Sequence, residues 1–263
     1  MLIWSKTGFL LVWGMAGALI SIVYFLPLSV ISMASFAGEW NGLLPTKLTL
    51  AHYAHAVTGD MARQVQVSLI TGLVASGAAL FAGTWGALSL RAFERTTQKL
   101  LRLAFFIPSA VPSVSVGLGL LVAFSRPPVL LNGTNLIVFI AHFVMVFAFT
   151  FGNVSAGLQG VATELEQVAQ SLGATPAYCL QHVTLPVVLP QLATAFSLSF
   201  ALSMGELGAT VMIYPPGWTT MPVGIFSLSD RGEIFDGSAL SILLIGVTLI
   251  ALLMVSLLHR QSR

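Results

Sequence analysis

Six long apolar runs, separated by short polar segments, constrain the fold of this chain more than any other feature. A helix of about 20 residues crosses a hydrocarbon core about 30 Å thick, and every run is at least that long. The mean hydropathy is +0.92 and only 8% of the residues are charged, which excludes a soluble globular domain. The sequence therefore predicts an all-α, polytopic membrane protein with six transmembrane helices, at residues 8–33, 67–90, 103–124, 135–157, 192–214 and 238–258.

The basic residues predict which loops face the cytoplasm, because cytoplasmic loops retain Lys and Arg. With the N-terminus inside, seven of the eleven basic residues are cytoplasmic and four are external. The compact loop from Arg91 to Arg102 carries most of this bias. We therefore expect cytoplasmic termini, a cytoplasmic segment at residues 163–186 and an external loop at residues 215–236.

A polar island, residues 163–186, separates the fourth and fifth apolar runs. Thr163 and Glu166 have the spacing of a capping box, in which each side chain satisfies a free backbone N–H of the first helical turn. Gly173 is placed to end this helix, because glycine adopts the left-handed conformation without steric cost. Pro176 begins a second helix, with the preceding threonine as its cap. We expect this second helix to end before Pro186.

The first helix of the island is mostly polar, but one of its faces is apolar. Four apolar residues recur there at helical spacing: Leu165, Val168, Ala169 and Leu172. A helix, a glycine elbow and a second helix outside the bilayer form a rigid protrusion that suits a groove in a partner protein.

The island resembles the EAA loop of the permease subunits of type I ABC importers. That loop has the pattern Glu-Ala-Ala, three residues, Gly, nine residues, then Ile-x-Leu-Pro. Gly173 and Pro186 match the glycine and the proline at this separation, and Ala169 matches the second alanine. The chain departs from the pattern at Gln167, where the family has glutamate, and at Val168, where it has alanine.

The resemblance implies a coupling surface for a cytoplasmic ATPase. Glu164 and Glu166 keep acidic character beside the departure at Gln167. The residues that would contribute to the coupling surface are Glu164, Glu166, Gln167, Ala169, Gly173 and Pro186.

The resemblance also implies a domain organisation and a location. It covers a permease domain at residues 62–258, preceded by a transmembrane helix and external loop at residues 1–61 and followed by a short cytoplasmic tail at residues 259–263. A cleaved signal peptide is the alternative for the first run, but about 26 apolar residues are too many for a cleaved segment. The expected location is the inner membrane of a bacterium.

Partners follow from the same resemblance, since one permease subunit encloses only half of a pathway. They are a dimer of cytoplasmic ABC ATPases, a second permease subunit that is a homologue or another copy of this chain, a periplasmic solute-binding protein and membrane lipid. No nucleic acid is expected. The three lysines lie outside any G-x-x-x-x-G-K-[ST] sequence, so we expect no ATPase activity, no enzymatic activity and no cofactor in this chain, with ATP used by the partner. We also find no metal-ligand spacing and no serine nucleophile motif.

The third apolar run contains Pro108 and Pro112, which predict a kink or a local break. Broken backbone at membrane depth is tolerated where it is buried in protein or lines a water-filled cavity. Ser109 is placed to satisfy a freed backbone group. The break has two interpretations, a kink that only packs and a part of the translocation pathway. The segment is similar to the third segment of molybdate and sulfate permeases, which favours the pathway.

Glu206 is the only acidic residue within the six runs, in the sequence S-M-G-E-L-G-A-T. An ionisable group in a spanning helix is costly and marks a functional site by default, and the flanking Gly205 and Gly208 permit close helix approach. Glu206 either lines the pathway or fixes packing at a subunit interface. The sequence is similar to the G-E-F-G-A-T of sulfate, molybdate, iron, thiamine and 2-aminoethylphosphonate permeases.

The external loop favours one of the candidate solutes. The passage from Tyr214 to Phe226, with the following S-L-S-D-R-G, is similar to 2-aminoethylphosphonate permease subunits. Iron, thiamine, a polyamine, molybdate and sulfate remain alternative solutes. A stand-alone channel or secondary transporter is an alternative class, but such transporters often carry inverted repeats and several intramembrane charges. A membrane scaffold that transports nothing is a third class.

Overall fold

The computed structural model describes residues 6–56 and 58–261, without the side chains of residues 6, 163 and 258–261. It is almost entirely helical, with one two-stranded hairpin. The elements are α1 (Lys6–Ser35), β1 (Ala37–Glu39), β2 (Thr46–Leu48), α2 (Ala51–Ala56), α3 (Gly59–Leu90), α4 (Arg95–Ala110), α5 (Ser113–Ala123), α6 (Asn135–Gln159), α7 (Thr163–Ser171), α8 (Pro176–Cys179), a π-helical turn (Leu180–Thr184), α9 (Leu185–Met204), α10 (Thr210–Ile213), α11 (Met221–Asp230) and α12 (Ile234–Gln261).

The predicted polytopic all-α fold is confirmed. Within the described residues, five helical segments are long and apolar enough to span a membrane: Thr7–Ser35, Gly59–Leu90, Asn135–Gln159, Pro176–Met204 and Ile234–Leu257. The pair α4 and α5, which meet at an angle of 97°, corresponds to the remaining predicted span.

The fifth predicted span, residues 192–214, was placed wrongly. The structure has a helical segment that begins at Pro176 and ends at Met204. The second island helix was expected to end before Pro186, but α8 continues through the π-helical turn into α9. Pro186 lies in the first turn of α9, where the wider hydrogen-bonding pattern of the preceding π turn accommodates its missing N–H.

The chain divides into two compact units, Met1–Ala62 with Gly224–Leu243, and Arg63–Val223 with Leu244–Arg263. In the first unit, β1 and β2 pair antiparallel, with Ala37 opposite Leu48. His52 of α2 joins this hairpin to α12, because its ring nitrogens lie 2.8 Å from Asp236 Oδ1 and 3.0 Å from the Ala37 carbonyl oxygen.

The second unit is organised around α6. At one end, Ala87 and Leu90 of α3 pack with Leu158 of α6 and Val188 of α9. We call this end, which includes residues 91–102 and 160–184, the island end. The helices α3 and α6 therefore finish side by side, whereas α9 begins there and runs antiparallel to α6.

The bent pair α4–α5 crosses the whole length of α6. Phe105 of α4 packs against Phe151, toward the island end of α6. Leu121 of α5 packs against Ile137 and Val138, at the opposite end. Because α3 and α6 end on the same side, the chain between them must pass from one side to the other. The pair is therefore one broken crossing rather than a re-entrant loop.

Candidate coupling surface and translocation site

The first island helix starts one residue earlier than the capping box required, at Thr163 itself. Ala162 occupies the N-cap position with extended backbone, and no side chain caps the helix. The side chain of Thr163 lies outside the described residues. Glu166, the expected partner in the box, forms other contacts: its carboxylate accepts from Arg91 and Thr184. The capping-box prediction is therefore wrong at Glu166, because a charged partner competes better for a carboxylate than a backbone N–H does.

The glycine elbow is confirmed. Gly173 has φ of +90°, in the range that favours glycine. Its N–H donates to the carbonyl of Gln170 at 2.9 Å, and the N–H of Ala174 donates to the carbonyl of Ala169 at 3.1 Å. These two bonds form a Schellman motif, which satisfies the last free carbonyls of α7.

The restart of the chain after the elbow is also confirmed. The Thr175 hydroxyl accepts from the Tyr178 N–H at 3.3 Å, with Pro176 at the start of α8. The ring of Tyr178 stacks on His182 with centroids 4.1 Å apart. The two island helices therefore meet at a fixed angle, set by local hydrogen bonds.

An ion pair anchors the island to the end of α3. Arg91 donates to both carboxylate oxygens of Glu166, at 2.8 and 3.1 Å, and Thr184 donates to the same carboxylate at 2.6 Å. The Arg91 hydrogen bonds lower the pKa of the Glu166 carboxyl, the Thr184 bond acts in the same direction, and partial burial opposes both. A bidentate pair of this kind fixes orientation as well as distance.

Three apolar side chains of the island are exposed to solvent. Leu165, Val168 and Leu172 are 48%, 58% and 84% exposed. Beside them is a groove of about 480 Å³ lined by Ala169, Leu172, Gly173, Ala174, Thr175 and Tyr178. Of the other predicted coupling residues, Glu164, Gln167 and Pro186 are exposed. The surface has the shape and polarity of a docking site for a protein.

The predicted break in the third run is confirmed, and a second break packs against it. Pro112 separates α4 from α5, and the Pro108 carbonyl accepts from the Val111 N–H at 3.3 Å. A Cβ added to Gly208 would lie 2.2 Å from Ser113 Oγ, and one added to Gly117 would lie 2.5 Å from the Ala209 carbonyl oxygen. Glycine is therefore required at Gly117, which faces backbone, and a side chain at Gly208 would displace the Ser113 hydroxyl. We call residues 111–117 and 203–210 the broken-helix junction.

Two details of the predicted pathway differ in the structure. Ser109 donates to the Phe106 carbonyl at 2.7 Å, within α4. The nearest atoms to a Cβ added at Gly205 belong to its own helix, at 3.8 Å or more. Gly205 therefore ends α9 and provides no close helix approach, unlike Gly208.

The sequence predicted that Glu206 lies within a spanning helix, and this prediction is wrong. Glu206 follows the end of α9 in an irregular stretch, and its carboxylate accepts from the Ala209 N–H at 2.8 Å. The carboxylate therefore closes the turn that immediately precedes α10. Among the described residues it forms no ion pair within 4.0 Å. The chain breaks here because a carboxylate and two glycines favour a turn over a continuous helix.

A buried histidine fastens the junction to α6. His142 is 1% exposed, and its ring nitrogens lie 2.7 Å from Ser203 Oγ and 2.9 Å from Thr210 Oγ1. Its two partners were missed. The sequence does contain a signal for these partners, because a serine and a threonine lie seven residues apart, on either side of a polar break.

The loop after α10 folds back into the second unit. Gly217 has φ of +80°, and the Trp218 N–H donates to the Pro215 carbonyl at 3.0 Å, which forms a tight turn. The indole N–H of Trp218 donates to Thr71 Oγ1 at 3.2 Å. Trp218 therefore packs on α3, so its role in the structure is packing.

Comparisons with known proteins place this architecture in a family. The model of the binding-protein-dependent transport system inner membrane component matches residues 75–263. A Salmonella typhimurium protein with the provisional name 2-aminoethylphosphonate transport system permease protein is 53% identical over 253 residues, which covers 96% of each chain. The putrescine transport system permease protein of Escherichia coli K12 is 30% identical over 192 residues, 71% of this chain and 68% of that one.

A solved structure shows the same fold. In the crystal structure of a bacterial ABC transporter involved in the import of the polysaccharide alginate, one chain matches with a TM-score of 0.74 and 18% identity, over 97% of this chain and 96% of that one. The match to the structure of the methionine ABC transporter in inward-facing conformations has a TM-score of 0.59 and 15% identity, over 77% and 94%. This chain belongs to the inner membrane components of bacterial binding-protein-dependent transport systems, and it is the permease subunit of an ABC importer.

Proposed function

We propose that this permease imports 2-aminoethylphosphonate. The observation that carries the proposal is the 53% identity to the Salmonella typhimurium relative across almost the full length of both chains. The resemblance of the external loop to permeases for the same solute supports it. The putrescine permease relative, at 30% identity, favours a polyamine as the second candidate.

The two candidate solutes share a protonated amine, for which Glu206 is a suitable partner. Its carboxylate lies at the broken-helix junction with one oxygen bonded to a backbone N–H. A carboxylate has several acceptor sites, so this bond leaves acceptor capacity for an ammonium group. An ionised Glu206 would repel a phosphonate, so we assign it to the amine end of the solute.

The island is proposed to dock the partner ATPase on the cytoplasmic side. Its Leu165, Val168 and Leu172 are exposed on a polar segment, and Leu172 lines the groove beside Gly173. The ion pair between Arg91 and Glu166 would transmit a push on the island to α3, because a bidentate pair resists both sliding and rotation.

The importer would work as two permease subunits, two ATPases and a periplasmic binding protein. ATP closes the ATPase dimer, which draws the two islands together and turns the pathway outward. Hydrolysis resets it. The two conformations of the permease must bind the ATPase states with unequal affinity, since a ligand that binds both equally shifts nothing.

Uptake competition tests the solute. Cells that carry the whole importer should accumulate labelled 2-aminoethylphosphonate, and unlabelled 2-aminoethylphosphonate should compete. Ethylphosphonate lacks the amine and putrescine lacks the phosphonate, so each should compete weakly. Strong competition by putrescine, with saturable putrescine uptake, would establish the polyamine candidate instead.

A further inference from the structure

A polar pocket opens between α3, α4 and α6 at the island end. It has a volume of about 270 Å³ and is lined by Ala87, Arg91, Gln98, Arg102, Ser155, Leu158, Gln159 and Val161. Two of these side chains are cationic and the lining contains no carboxylate. The pocket therefore offers hydrogen-bond donors and positive charge, which suits an anion.

The charge of Arg102 is left unsatisfied in this pocket. Its Nε is buried and, among the described residues, has no hydrogen-bond partner. Its terminal nitrogens face only a neutral group, the side-chain amide of Gln159, whose oxygen accepts from Nη2 at 3.1 Å when the amide is turned by 180°. Arg91 differs, because Glu166 already neutralises it. A partly buried guanidinium without an acid is unfavourable, and a phosphate oxygen would satisfy both its charge and its free N–H.

An aromatic groove lies farther from the island end, between the same three helices. It has a volume of about 560 Å³ and is lined by Phe81, Ala82, Trp85, Gly86, Phe105, Phe143 and Phe147. Phe81 and Trp85 are 72% and 68% exposed. This surface is apolar, so it suits a hydrocarbon chain.

The pocket and the groove lie at successive depths along these helices. Trp85 of α3 precedes Arg91, the residue just after the end of that helix, by six residues, which is about 9 Å at the helical rise. On α4, Phe105 follows Arg102 by three residues, or about 4.5 Å. In both cases the cation is nearer the island end and the aromatic ring lies deeper in the apolar run. A cationic head-group pocket above an aromatic groove matches the order of groups in a phospholipid.

We propose that this cleft binds an anionic phospholipid from the membrane. The phosphate bonds Arg102 Nε, with Gln98 and Gln159 beside it, and an acyl chain follows the groove past Trp85 and Phe105. An anionic head group is preferred to phosphatidylcholine, because the lining has no carboxylate to receive a choline. The site is separate from the solute and does not depend on its identity.

Native mass spectrometry of the purified importer tests the proposal, with phosphatidylglycerol and phosphatidylcholine as the probes. The wild type should retain phosphatidylglycerol in preference. Arg102→Gln should weaken its binding about fivefold, since one basic residue near a membrane surface contributes about 1 kcal/mol. Lys99→Gln removes an exposed cation of the same helix and should have no effect. Arg102→Lys keeps the charge and should restore part of the preference.

The acyl-chain arm uses tryptophan variants. Trp85→Ala should weaken phosphatidylglycerol binding, and Trp13→Ala, which removes an equally exposed indole on α1, should not. Equal retention of the two lipids, or unchanged binding in Arg102→Gln with an unchanged melting temperature, would overturn the proposal. Displacement of the lipid by millimolar inorganic phosphate would overturn it too, because the pocket would then take a free anion.

Discussion

The island and the broken-helix junction both interrupt helices, but the two interruptions are stabilised by opposite kinds of contact. The island leaves leucines exposed, with Leu172 at 84%, and is anchored by the charged pair of Arg91 and Glu166. The junction is closed by glycine contacts at Gly208 and by neutral hydrogen bonds from His142.

The difference follows from the surroundings of each break. A charged pair outside the bilayer needs little desolvation, whereas charges deep in a low-dielectric interior carry a large penalty. Exposed apolar side chains gain nothing in water, so their place on the island indicates a protein partner. The junction buries its polar groups, so its function depends on internal packing. We propose that the first break serves docking and that the second holds the junction together.

The largest effect should come from the glycine elbow. Gly173→Val forces a β-branched residue into the left-handed region, which costs about 1–2 kcal/mol and changes the angle between the island helices. Uptake should fall more than tenfold while membrane abundance stays normal, and the ATPase should no longer copurify.

Gly133→Val is the matched control for the elbow. Gly133 also has a positive φ, +79°, with open space around it, but it lies at the opposite end of the second unit. Its replacement should impose the same local strain and preserve ATPase binding. Full uptake by Gly173→Val would contradict the role of the island.

Glu206→Gln tests the junction as a solute site. The change keeps the shape and removes the charge, so an ammonium loses a charge-assisted contact worth about 1.5–3 kcal/mol. Uptake of 2-aminoethylphosphonate at low concentration should fall about tenfold or more, with the complex intact. Glu233→Gln, an exposed acid beside Arg231, should leave uptake unchanged. A Glu206→Gln complex that dissociates would show that Glu206 acts only in assembly.

His142→Ala tests the junction as packing. The substitution leaves the Ser203 and Thr210 hydroxyls without their ring partner, which costs about 1–3 kcal/mol. The melting temperature of the purified complex should fall. His182→Ala, at the exposed surface of the island, should change stability by about 0.5 kcal/mol or less. Equal melting temperatures for the two variants would contradict the fastening role of His142.

The smallest expected effect is the loss of folding stability when the pH falls and the ion pair of the island is protonated. Arg91 lowers the pKa of Glu166 in the folded state, so the pair stabilises the fold above the unfolded carboxyl pKa. This contribution is lost as the pH falls through the lowered folded pKa. Wild type should therefore lose about 1 kcal/mol more than Glu166→Gln between neutral and acidic pH, measured by thermal unfolding in detergent. Parallel pH profiles would show that the pair contributes nothing.

Local chemistry was predictable from the sequence, and distant contacts were not. Gly173 and Pro112 determine their own backbone, so the elbow and the break in the third run were both predicted. Pro186 was misjudged, because a π turn absorbed the missing N–H. The pair of Arg91 and Glu166 joins residues 75 positions apart, and no periodicity carries that information.

The broken-helix junction shows the same limit within one apolar run. Hydropathy treats residues 192–214 as a continuous span, since Glu206 adds one charge to many apolar neighbours. The break depends on a hydrogen bond from Ala209 and on the space that Gly208 leaves for Ser113. These are tertiary contacts, so the average over a window of residues does not detect them.

Cysteine cross-linking to the ATPase tests the central claim most directly, that the island is the docking surface. The only native cysteine, Cys179, is replaced by serine, and a cysteine is introduced at Leu172 or, as a control, at Thr219 in the loop at the opposite end. A thiol-reactive cross-linker applied to the assembled importer should join Leu172→Cys to the ATPase, and ATP should change the yield. Cross-linking of the ATPase to Thr219→Cys, with none to Leu172→Cys, would contradict the account.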